Sequence, residues 1–168
     1  EKTPKEISNI KIVDPACGSG SFLIGAYQYL MDWHKNYYYT NNHKISKGNK
    51  NNPLTPEGHL TTAEKKRILL NNIYGVDLDV NAVEVTKLSL LLKCLEGETE
   101  ASIEQQFSLW HERVLPTLDE NIKDGNSLID IDFYSAQIDF GFEKKIKPFS
   151  WVNAFPYIFK ESGFDIVI

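Results

Sequence analysis

Val13-Asp14-Pro15-Ala16-Cys17-Gly18-Ser19-Gly20-Ser21-Phe22 is the stretch that decides the fold. It reads as the end of a buried strand, a sharp glycine turn and the first turn of a helix. That arrangement presents backbone N–H groups to a ligand. Ile10, Ile12 and Val13 supply the strand, with Lys11 between them. Gly18 and Gly20 allow dihedrals that are closed to other residues and leave no Cβ in the way of a ligand on the backbone. Phe22, Leu23, Ala26, Tyr27 and Leu30 recur at helical spacing, so one helix face packs on a sheet. A nucleotide-type pocket at the carboxyl end of the first strand follows; the plain alternative is a tight strand-to-helix turn with no ligand.

The kind of nucleotide is narrowed by what the turn lacks. A dinucleotide fingerprint needs a third glycine three residues after Gly20, where Leu23 stands, and Gly25 comes too late. No Gly-Lys-Ser/Thr follows, so a phosphate-cradling P-loop is excluded. The Asp14-to-Phe22 run resembles motif I of the S-adenosylmethionine-dependent amino-methyltransferases, especially the DNA adenine-N6 enzymes of restriction–modification systems.

The 168 residues, 42% hydrophobic and 12% aromatic, suit one domain with a real core. With no apolar run long enough to span a membrane and no signal-peptide pattern, the expectation is a soluble, cytoplasmic protein. Two cysteines, Cys17 and Cys94, form no metal-ligand or redox pattern. Cys17 reads as a small buried residue chosen for fit, or else as a nucleophile without a nearby histidine partner. The four histidines, His34, His43, His59 and His111, sit in no recognisable motif and receive no catalytic role. A net charge of −5 argues against strong nucleic-acid binding by this stretch alone. Basic residues gather between Lys35 and Arg67, whereas Glu96 to Asp139 is acidic.

In chain order, residues 1–9 read as a polar linker and Ser21–Trp33 as a helix. Residues 35–60, rich in Asn, Lys and Gly around Tyr37-Tyr38-Tyr39, read as a mobile surface insertion. Its lysines and tyrosines would either contact DNA or simply be solvated. Thr61-Thr62-Ala63-Glu64 is a capping signal for a helix to about Leu70, ended by Asn71 and Asn72. Ile73-Tyr74-Gly75-Val76-Asp77 is a second buried strand. Asp79 caps a helix to Leu95, with Ala82, Val85, Ser89, Leu92 and Leu95 expected on its packed face, Leu88 and Leu91 beside it, and Gly97 closing it. Residues 98–120 hold another helix candidate carrying Ile103, Phe107 and Trp110. Asn121 to Asn126 is a short strand running into a turn, and 133–150 is less legible, with a hairpin possible around Phe140-Gly141-Phe142. Trp151–Phe159 reads as a loop packed on the sheet, and Phe164–Ile168 as a buried strand.

Strands alternating with helices imply an α/β fold with a parallel sheet, right-handed crossovers and flanking helices. Gly18, Asp77 and Asp124 would then converge at the strands' carboxyl ends. An acidic residue ending the second strand suits ribose, because one carboxylate accepts hydrogen bonds from both adjacent hydroxyls. Asp77 holds that place; Asp79 competes for it but already has a capping role. Leu78 would cover one face of a base. Asp124 would accept from an exocyclic amine, or be an ordinary turn aspartate.

Asn72 to Asp79 and the helix after it look like the family's second motif, and Asp124-Gly125-Asn126-Ser127-Leu128 looks like the third. The resemblance implies a Rossmann-like class I methyltransferase core that binds S-adenosyl-L-methionine. The cofactor residues it implies are Asp14, Pro15, Ala16, Cys17, Gly18, Gly20, Phe22, Asp77, Leu78, Asp124, Gly125 and Asn126. It also implies double-stranded DNA as the partner of the intact enzyme, with the target base flipped from the duplex. In the family the strand matching Phe164–Ile168 leads into an Asn-Pro-Pro-Tyr-type tetrapeptide that holds the target amine. That tetrapeptide is absent here, as are a target-recognition domain and the segment that precedes motif I. Residues 1–168 are therefore expected to be a partial, cofactor-binding methyltransferase domain without transfer activity of its own. The alternatives are a fragment acting on protein glutamine or RNA, and a non-catalytic binding or specificity module.

Overall fold

Ile12 and Val13, adjacent on one strand, face opposite sides of the sheet and are both buried, as expected of a parallel sheet covered on two faces. The computed structural model describes residues 2–41, 52–98, 115–136 and 146–168. Within them β1 (Ile12–Asp14), β2 (Ile73–Asp77), β3 (Ile122–Asp124) and β4 (Ile166–Val167) form one four-stranded parallel sheet in the order β3-β2-β1-β4. The register sets Asp14 beside Gly75, and Asp77 beside Asp124.

One face carries α1 (Pro4–Ile7), α2 (Ser21–Thr40), α3 (Thr62–Asn72) and α4 (Val80–Leu95). Leu23, Tyr27, Ile68, Leu69, Ile73 and Leu90 are completely buried there. Each such aliphatic side chain contributes about 1.5–3 kcal/mol relative to exposure. The Tyr27 hydroxyl, in the same core, donates to Lys65 O at 2.9 Å. The opposite face is aromatic. Tyr74, Phe149 and Phe155 pack around Val13 and Val76, with Trp151 and Phe164 closing the cluster edge-to-face.

Several expectations change. Residues 2–9 are not a plain linker: Thr3 and Glu6 form a capping box that starts α1 and places Ile7 in the core. α2 runs past Trp33 to Thr40, because Trp33 stacks on Tyr37 one turn later and Tyr38 is buried with its hydroxyl on Glu64 Oε1 at 2.7 Å. Much of the stretch assigned to an insertion at 35–60 therefore belongs to the fold. Leu54 and Leu60 bridge in antiparallel fashion and are both buried; residues 42–51 lie outside the described residues. α3 extends through Asn71 and Asn72.

The packed face of α4 is Val83, Thr86, Leu90 and Cys94, whereas Val85, Leu88 and Leu92 are exposed, so the expected stripe is turned away from the sheet. Residues 151–159 form two short helices, α5 (Trp151–Ala154) and α6 (Pro156–Glu161), joined at the buried Phe155. Among the described residues β4 lies at the edge of the sheet, with Ile166 and Val167 exposed where burial was expected. Ile103, Phe107 and Trp110, and the hairpin around Phe140, lie outside the described residues.

Candidate cofactor site

The glycine turn is fastened to the sheet before any ligand is considered. β1 ends at Asp14, only 4% exposed, whose Oδ1 accepts from Ala16 N at 3.0 Å and so bends the chain through Pro15. Cys17 N then donates to Val76 O at 3.0 Å, tying the turn to β2, and Gly20 N donates to Cys17 O at 2.7 Å. Gly18 and Gly20 have φ of 52° and 82°, the left-handed region that favours glycine. At Gly18 a Cβ would meet nothing within 4 Å, so the space beside it is open. At Gly20 a Cβ would lie 2.8 Å from Thr86 Cγ2. The turn is thus open on one side and pressed against α4 on the other.

Thr86 was not legible as a site residue. It is completely buried and its hydroxyl donates to Gly18 O at 2.8 Å, holding the turn from beneath. The signal available was a hydroxyl at helical spacing from Val83 and Leu90. α2 begins directly above, with Gly20 as its N-cap, no capping side chain and no acidic residue in its first turn. Its first N–H groups and the positive end of its dipole are therefore directed at the opening.

Asp77, at the end of β2, works through both oxygens: Oδ2 accepts from Gly18 N at 2.8 Å and Oδ1 from Asp79 N at 2.9 Å. A carboxylate has further lone pairs, so these bonds fix its orientation and leave acceptor capacity. Asp79 Oδ1 accepts from Asn81 N at 2.9 Å and caps α4, the structural task expected of it.

Asp124 is the register partner of Asp77. Gly125, with φ of 156°, donates its N–H to Asp77 O at 2.8 Å, and a Cβ there would lie 2.5 Å from Phe149 Cδ2. Asn126 Oδ1 accepts from Leu128 N at 3.2 Å, shaping the turn that follows. Around this rim Phe22 is 74% exposed and Leu78 47% exposed.

The structure thus brings Gly18, Gly20, Asp77, Asp124 and Gly125 together through backbone bonds and register, with Phe22 and Leu78 on the same rim. Pro15, Ala16 and Cys17 shape the turn, and Asn126 shapes the exit from β3. Cys17 lies behind the turn, where burial, with the carboxylates of Asp77 and Asp14 adding to it, pushes its thiol up to about 11. Buried and with its thiol raised, it sits in the surroundings of a packing cysteine. His34 is also consumed by the core, fully buried with Nδ1 against Leu30 O at 2.8 Å. Lys147, also unmarked in the sequence, bridges the rim: its Nζ donates to Leu78 O at 3.1 Å and stands 3.6 Å from Asp124 Oδ2.

Among the described residues no group of three or more His, Cys, Asp or Glu side chains is arranged to hold a metal ion. Among them, too, no helix is long and apolar enough to cross a membrane.

Residues 1–147 match the family model for the DNA-methyltransferase domain of MmeI. The chain is 39% identical over 153 residues to the type II restriction enzyme and methyltransferase RM.Eco57I of Escherichia coli, an overlap covering 90% of this chain and 14% of that protein. It is 37% identical over 124 residues to RM.MjaORFECS2P of Methanocaldococcus jannaschii, provisionally named a type II restriction enzyme and methyltransferase, covering 74% of this chain and 9% of that protein. The chain therefore spans a small part of the length of these relatives. A parallel sheet with a pinned glycine turn, and a family match over most of the sequence, lead to one conclusion: the chain belongs to the MmeI DNA-methyltransferase domain family.

Proposed function

We propose that this chain is the S-adenosyl-L-methionine-binding part of a DNA adenine-N6 methyltransferase in a restriction–modification enzyme, acting in the cytoplasm on double-stranded DNA. The observation that carries the reading is the meeting of three features at the carboxyl ends of the strands. These are the open glycine turn, the oriented carboxylate of Asp77, and Asp124 in register beside it.

The donor set fits an adenosyl group. Asp77 has spare acceptor capacity for the two ribose hydroxyls, Asp124 for an exocyclic amine, and the exposed Leu78 offers an apolar face to the base. Backbone N–H groups of the turn and the uncapped start of α2 suit a carboxylate, and the exposed Phe22 stands in the first turn of α2. When bound, the cofactor supplies a methyl group already activated by its sulfonium. What remains for the protein is to align the acceptor nitrogen with it and keep water out. Asp14 contributes by fixing Ala16 N and hence the path of the turn. No residue of this chain is assigned to the acceptor amine.

The test is methyl transfer by the intact protein from methyl-labelled S-adenosylmethionine to duplex DNA, with the product digested to nucleosides. Label in N6-methyladenine is the expected result. Label in cytosine, in RNA or in protein, or no transfer despite cofactor binding, would overturn the assignment.

A further inference from the structure

Lys147 has a backbone conformation and a position that surface lysines rarely combine. Its φ is 45°, in the left-handed region, where a residue with a Cβ pays about 1–2 kcal/mol. The surrounding chain holds it there: Asn126 N donates to Lys147 O at 2.7 Å, Pro148 follows in a parallel bridge with Asn126, and Phe149 is buried. Such enforced conformations gather at ligand clamps. The side chain then joins the two flanks of the base-binding end, with Leu78 O at 3.1 Å and Asp124 Oδ2 at 3.6 Å.

A half-exposed ion pair of this length adds little to stability, so its effect must be sought elsewhere. Asp77 and Asp124 stand side by side on neighbouring strands, an arrangement of like charges that disfavours a defined orientation. Asp77 is oriented by two backbone N–H groups. Asp124 has instead the Lys147 ammonium, whose three donors can serve Leu78 O and the carboxylate together.

We propose that Lys147 is a positioning residue: it orients the Asp124 carboxylate toward the amine of a bound adenine and ties it to the Leu78 flank. This rests on the adenosyl reading of the site. The test is calorimetric titration of the intact protein with S-adenosylhomocysteine, using Lys147→Gly, Lys147→Arg, Asp124→Asn and the Lys147→Gly/Asp124→Asn double variant. Glycine accepts the left-handed backbone, so Lys147→Gly removes the ammonium without adding strain; Lys147→Met is the second neutral variant should the glycine protein fold poorly.

The expected result is about a three- to fivefold loss of affinity in Lys147→Gly, the scale of one ion pair. Lys147→Arg should recover most of it, and the double variant should bind no more weakly than Asp124→Asn alone. Wild-type affinity in both neutral variants, or losses that multiply in the double variant, would overturn the proposal, since Lys147 would then not act through Asp124. Binding by the wild type with no effect of Asp124→Asn would also overturn it while leaving the adenosyl reading intact. No binding by the wild type would remove that reading, and this proposal with it.

Discussion

At the amino ends of the strands, the amide of Asn72 donates to Ile7 O and Ile10 O at 2.8 and 2.7 Å, and that of Asn121 to Leu70 O and Ile73 O at 3.0 and 2.9 Å. Both side chains are buried, and Lys11 Nζ caps Asn71 O nearby at 2.7 Å. At the carboxyl ends the polar groups are carboxylates, the glycine turn is open, and Phe22, Leu78 and Leu128 stand exposed. One end spends its polar side chains on backbone carbonyls of the fold. The other orients Asp14 and Asp77 with backbone N–H groups, sets Lys147 beside Asp124, and keeps acceptor capacity and apolar surface in reserve. A difference of this kind within one sheet is what the proposed cofactor site at the carboxyl ends requires.

The comparison breaks most visibly at the amino end. Asn121→Ala removes the amide donor from the buried Ile73 O and from Leu70 O, which keeps the Tyr74 hydroxyl at 3.2 Å, and should cost about 2–3 kcal/mol of stability. Denaturant titration of the intact protein would register it, while the folded fraction binds S-adenosylhomocysteine as the wild type does. Asp77→Ala should act the other way round. Its main effect is on affinity, a loss of about 1.5–3 kcal/mol, or roughly ten- to hundredfold, with a smaller loss of stability from releasing Gly18 N and Asp79 N. Equal affinity in calorimetry would remove Asp77 from ribose recognition. Phe22→Ala is the mildest change: with the ring already exposed, stability should shift by less than about 0.5 kcal/mol. Affinity should still fall by up to about fivefold if the ring covers a ligand. A large loss of stability instead would mean that Phe22 is a core residue.

The carboxyl end was the more legible of the two because its chemistry is local in sequence. Two glycines after a strand, an aspartate ending the next strand and another ending the third each announce themselves within a few residues. The amino end is built from Asn72 and Asn121, whose partners lie up to 65 residues away; Asn72 opens the second motif, but nothing in that motif announces its bonds to Ile7 O and Ile10 O. α4 misled for a different reason. Its apolar residues lie all round the helix, so periodicity alone did not choose a face. The face actually used contains Thr86 and Cys94, and Thr86 belongs there because Gly18 O needs its hydroxyl. The tyrosine run at 37–39 resembled a break, yet one-turn contacts, Trp33 to Tyr37 and His34 to Tyr38, carry the helix through it. Lys147 was invisible because its partners, Leu78 and Asp124, come from two other strand ends.

Amide hydrogen exchange of the intact protein, with and without saturating S-adenosylhomocysteine, tests the contrast between the two ends most directly. Slower exchange at residues 16–22, 77–80 and 124–128, with residues 9–12, 71–73 and 119–122 unchanged, is the predicted result. Protection at the amino ends, or at neither end while binding is saturated, would contradict it.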